Sequence, residues 1–106
     1  MLDFGRYVDI LEDRTVWITA NEIRKLAKEK VRKDKRNLEN SIIATDLGDG
    51  MEVSANTEYA AAQEWGRPDL PQYGFTPYMR PAVKEAAAKI PEFARRAAEI
   101  AARMAS

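Results

Sequence analysis

Alanine dominates the last quarter of the chain, and that restricts what it can become. Ten alanines lie between Ala82 and Ala105. Alanine is the strongest helix former, so residues from Pro81 to Met104 are expected to be helical. Pro81 suits a first helical turn. Pro91 lacks a backbone N–H and predicts a kink or restart partway along. Val83, Ile90, Ala97 and Met104 recur every seven residues and suggest one apolar seam. Small side chains let helices approach closely, but each buries little apolar area. A chain of 106 residues and 12.0 kDa therefore builds a thin core, of the kind that another subunit commonly completes.

The remaining segments alternate in period. Residues 3–13 are expected to start a helix, with Phe4, Val8 and Leu11 on one side. The β-branched and aromatic run Thr15-Val16-Trp17-Ile18-Thr19 predicts a kink or short extended piece. Thr19 or Asn21 would then cap a helix running to about Lys33, with Ala20, Ile23, Ala27 and Val31 as its apolar stripe. Ser41–Thr45 and Met51–Ser54 read as two strands, joined by Asp46-Leu47-Gly48-Asp49-Gly50 as the turn of a β-hairpin. Residues 57–65 suggest a short helix closed by Gly66. Residues 67–78 hold three prolines and a glycine, so they are expected to be loop. The order predicts one α+β domain over residues 1–106. A small antiparallel sheet, the hairpin with room for an extra strand, is packed by an N-terminal helix, a short central helix and a long C-terminal helix.

Composition excludes much chemistry. With no Cys and no His, disulfides, thiolate nucleophiles, the usual neutral-pH base and the commonest metal ligands are missing. No apolar run approaches the length that spans a bilayer, and residues 1–14 show no signal-peptide core, so neither a membrane nor an exported location is expected. The paired carboxylates Asp46/Asp49 and Glu58/Glu64 form no recognisable acid–base constellation. The Asp46–Gly50 run lacks the alternating acids of a calcium loop and the lysine–serine ending of a phosphate loop. A hydrolase is therefore the weakest of the functional readings, and no catalytic, metal or cofactor-binding residue is assigned.

The net charge of zero hides strong segregation. Residues 1–23 carry two basic and five acidic side chains, net −3, whereas residues 24–36 carry eight and two, net +6. Residues 37–70 are net −6 and residues 71–106 net +3. The basic block suits either a contact between copies of the chain or a phosphate-binding strip. The overall balance and the absence of an aromatic within residues 24–36 disfavour a dedicated nucleic-acid binder. Arg24, Lys28, Arg32 and Lys35 are therefore candidate assembly contacts, with a small nucleic-acid-binding module as the alternative. Tyr59 and Trp65 are expected in the core. Tyr73 and Phe75, on the Pro/Gly loop, are candidate partner anchors.

Several pieces then fall in an informative order. They are Leu38-Glu39-Asn40-Ser41-Ile42, Tyr59-Ala60, Glu64-Trp65-Gly66 and Pro77-Tyr78-Met79-Arg80-Pro81-Ala82. This set, over roughly residues 38–90, resembles a tailed-bacteriophage family of minor tail, tail-completion and head–tail joining proteins, typified by the gene-ten products of HK-type lambdoid phages. In that family a Pro-Val-Asp-Thr-Gly-like turn usually precedes the Leu-x-x-Ser-Ile strand start. Here Arg32-Lys33-Asp34-Lys35-Arg36-Asn37 stands instead, so the helix-to-strand corner must be built differently. The resemblance implies a non-enzymatic virion protein, made in the host bacterial cytoplasm and placed in the neck or tail. It would assemble as a ring and dock other neck, connector and tail proteins, touching nucleic acid only incidentally. It marks Ser41, Tyr59, Ala60, Glu64, Gly66, Pro77, Arg80 and Pro81 as structural motif residues. Because the two helices leave the Pro/Gly loop at its two ends, Glu64 and Arg80 are expected to meet.

Overall fold

A computed structural model describes residues 2–31, 36–55, 60, 64 and 77–106. Helix α1 runs unbroken from Phe4 to Lys30, about 40 Å at 1.5 Å per residue. Asp3 caps it, its side chain accepting from the Arg6 N–H at 3.1 Å. The helix runs through Thr15–Thr19, so the short extended piece expected there is absent. Both threonine hydroxyls donate into the helix, Thr15 to the Leu11 carbonyl and Thr19 to the Thr15 carbonyl, each at 2.7 Å. Asn21 likewise bonds back to the Trp17 carbonyl, at 2.9 Å. Neither Thr19 nor Asn21 is therefore a cap. Ile18, in the middle of the β-branched run, is buried, so packing overrides local propensity there. The helix ends at Lys30, before the expected Lys33, where the Val31 N–H bonds the Ala27 carbonyl.

The next corner is a short helix, α2, Arg36–Ser41. Leu38 to Ser41 is therefore its last turn rather than the start of a strand. Leu38 and Ile42, four apart, are both fully buried, and the Ser41 hydroxyl closes the turn on the Leu38 carbonyl at 2.8 Å. Strand β1, Ile42–Asp46, follows directly and pairs antiparallel with β2, Met51–Ala55. The register sets Ile42 opposite Ala55 and Asp46 opposite Met51. At the tip, Asp46 accepts from the Gly48 N–H at 2.8 Å. Gly48 adopts φ +89, where a Cβ would be strained. The turn chemistry is thus as expected. No third strand occurs among the described residues. Of the expected short central helix, Ala60 and Glu64 are described and helical. The rest, with Tyr59, Trp65 and Gly66, lies outside the described residues.

The C-terminal segment forms two helices, α3 at Met79–Ala88 and α4 at Ile90–Ala105, broken at Lys89 as Pro91 required. Helix α3 begins two residues before Pro81, which lies in its first turn. Helix α4 runs antiparallel to α1. The Asp3 N–H bonds the Ala105 carbonyl at 3.1 Å at one end of the pair, and Lys89 reaches Glu22 at 3.4 Å towards the other. A second ion pair, Lys30–Glu85 at 2.7 Å, ties α1 to α3. The result is an α+β fold in which a two-stranded antiparallel sheet packs against long N- and C-terminal helices and a short helix.

The buried seam differs from the expected one. Ala82, Ala86, Phe93, Ala97, Ala101 and Ala105 face inward, whereas Val83, Ile90 and Met104 are largely exposed. The close approach of α3 and α4 to α1 selects the alanines. Phe93 is the one large side chain they admit, and the Arg96 guanidinium lies 5.8 Å from its ring centroid. Replacing Ala97 by Leu should therefore overpack the seam and cost about 1–3 kcal/mol in urea unfolding. Leu at the exposed Ala102 should stay within about 0.5 kcal/mol of the parent.

Candidate functional site

The most organised polar constellation lies where α3 begins. Helix N-termini leave backbone N–H groups without intrahelical partners, and Tyr78, at the N-cap position, offers no capping side chain. Glu64 supplies the missing acceptor from a distant part of the chain. Its Oε2 accepts from the Tyr78 N–H at 3.0 Å and its Oε1 from the Arg80 N–H at 2.6 Å. The carboxylate is buried and faces the positive end of α3. Arg80 closes the arrangement: its Nη2 donates to the Glu64 carbonyl at 2.7 Å, and its Nε lies 3.8 Å from Oε1. The Tyr78 hydroxyl donates to the Ala60 carbonyl at 3.3 Å.

Glu64 and Arg80 therefore meet, as the sequence suggested. The shortest contact to the carboxylate, however, comes from the Arg80 backbone rather than its guanidinium. The roles of Tyr78 and of the Ala60 carbonyl were missed. The signal was present: a helix start with no Ser, Thr, Asp or Asn at its cap needs an acceptor from elsewhere. Both carboxylate oxygens are held by N–H donors, so the group clasps the two segments together. An open cleft of 230 Å³ beside it is lined by Val53, Ser54, Ala55 and Met79 as well as the clasp residues.

Other candidate residues are scattered. Ser41 closes α2, Pro77 is non-helical just before the clasp, and Pro81 is in the first turn of α3. Arg24 and Lys28 lie four apart on α1, so they share one helix face. Arg32, Lys35, Tyr73 and Phe75 lie outside the described residues, as do most of the Pro/Gly loop and Glu58. Two ion pairs engage the basic block and its surroundings internally. In one of them, the Lys30 hydrogen bond and charge hold the Glu85 carboxyl below its ordinary range, with Lys89 adding to the effect and desolvation opposing it. Four carboxylates, Glu12, Asp13, Asp46 and Asp49, line a concavity of 230 Å³ at the hairpin tip. Among the described residues no group of three acidic side chains stands close enough to hold a metal ion. No described helix is long and apolar enough to cross a membrane.

A larger, apolar groove of 450 Å³ lies between α1, β2 and the α3–α4 corner, with Val16, Ile23, Met51, Val53, Val83 and Ile90 among its walls. Sequence reading placed Val83 and Ile90 on the inner seam and so did not find this groove. No protein-family model, curated protein or solved structure matches the chain.

Two outcomes follow from the clasp. Glu64→Ala strands two N–H groups at a buried helix start and should cost about 2–4 kcal/mol in chemical denaturation. Burial, and secondarily the Glu64 charge, raise the Tyr78 hydroxyl above its ordinary value of 10.0. The unfolded chain then loses that proton first. The Tyr78 contribution is complete below pH 10 and disappears as pH rises through the folded value. Unfolding curves at alkaline pH should show a decline that Tyr78→Phe reduces.

Proposed function

We propose that the chain is a structural protein of a tailed-phage virion, acting in head–tail joining or tail completion. It self-associates and docks neighbouring neck and tail proteins, and makes or breaks no covalent bond. The clasp is the observation that carries this reading. Ala60, Glu64 and the Tyr78–Arg80 pair come from three separate pieces of the family-like sequence pattern, and they converge on one cluster around the buried Glu64. That convergence gives the spaced motif a physical reason. Glu-aromatic-Gly supplies the acceptor, and Pro-aromatic-hydrophobic-Arg supplies the helix start it caps. Such a clasp serves geometry, which is what an assembly subunit requires.

The thin alanine core supports the same reading, since small helix-packing residues leave larger apolar side chains such as Val83 and Ile90 outside. Electron microscopy of phage lacking this gene tests it directly. Filled heads beside unattached tails are expected. Normal virions from such a deletion would overturn the proposal.

A further inference from the structure

We infer that the apolar groove between α1, β2 and the α3–α4 corner receives a second copy of this chain, which enters with the Trp17–Arg24–Lys28 face of its α1. The inference rests on the self-assembling reading and names the surface that would serve it. Val16 and Val83 are each 44% exposed in the groove and Ile90 is 41% exposed; the polar side chains in its lining are Thr15 and Thr19, whose hydroxyls are bonded back into α1. Val16 and Met51 also border the concavity that holds Glu12, Asp13, Asp46 and Asp49. The receptor is thus an apolar trough with an anionic mouth.

The same chain carries the complementary shape. Trp17, 47% exposed, stands seven residues before Arg24 and eleven before Lys28, so the three share one face of α1. An aromatic anchor followed by cations matches an apolar trough ending in carboxylates. The groove takes its α1 wall from Val16, Thr19 and Ile23. At 3.6 residues per turn that wall is about 120° around the helix from the Trp17 face. Donor and receptor are therefore different surfaces, and the contact is head-to-tail, the type that closes into a ring or runs on as a filament.

Sedimentation velocity on the full chain and two variants tests the inference, with circular dichroism confirming that each is helical. Trp17→Ala removes the donor, and Val83→Asp spoils the receptor. The parent should self-associate, more weakly as salt screens the charges. Each variant alone should associate at least about tenfold less tightly. An equal mixture retains one intact contact and should stop at a dimer. A monomeric parent at high concentration and low salt would overturn the inference. So would variants that assemble like the parent, or a mixture that stays monomeric. The virion phenotype of the gene deletion is independent of these results, so failure of the groove and failure of the virion role are separable.

Discussion

Close contact between α1 and the alanine face of α3 and α4 is the interaction on which the rest of the structure depends. Both strands and α2 also pack against α1. Ala27 on α1, and Ala82, Ala86, Ala97 and Ala101 opposite, are fully buried. Each contributes little area, so stability comes from tight fit along the helices rather than from a bulky centre. Among the described residues Leu38, Ile42 and Phe93 are the largest fully buried side chains, and they lie on α2, β1 and α4.

A frame built from small residues needs its ends fixed by polar contacts, and these come from distant parts of the chain. The Glu64 carboxylate holds the start of α3, Glu22 reaches the Lys89 corner, and Lys30 reaches Glu85. The ion pairs are partly exposed and individually weak. The clasp differs, because Glu64 is buried and accepts from two backbone N–H groups at the start of α3. It couples Ala60 and Glu64 to the C-terminal helices.

The same economy of the core explains the surface. Once alanine fills the seam, the valine and isoleucine on the adjacent helix face stay outside it and keep more than 40% of their surface exposed. They become the wall of a groove beside the acidic hairpin tip. Charge segregation along α1 then acquires a spatial meaning, since Glu12 and Asp13 of its acidic part line the concavity that adjoins the groove at Val16 and Met51.

Much of the architecture was legible locally. The hairpin turn follows from Asp46 and Gly48, the break at Lys89 from Pro91, and the meeting of Glu64 with Arg80 from their positions at the two ends of one loop. Other features were not. Thr15 to Thr19 suggested a kink or short extended piece because β-branched residues disfavour helix in isolation, yet α1, packed against α4, stays helical through them. Ser41 was expected to open the first strand, yet it closes a helical turn that buries Leu38 and Ile42 together. Alanine content and proline placement determined by themselves that the C-terminal segment is helical and broken once, because both act through the local backbone. Which helix face turns inward was decided only by tertiary structure. Spacing marks several related stripes, and the distance of approach to α1 selects the one whose side chains are small enough to fit.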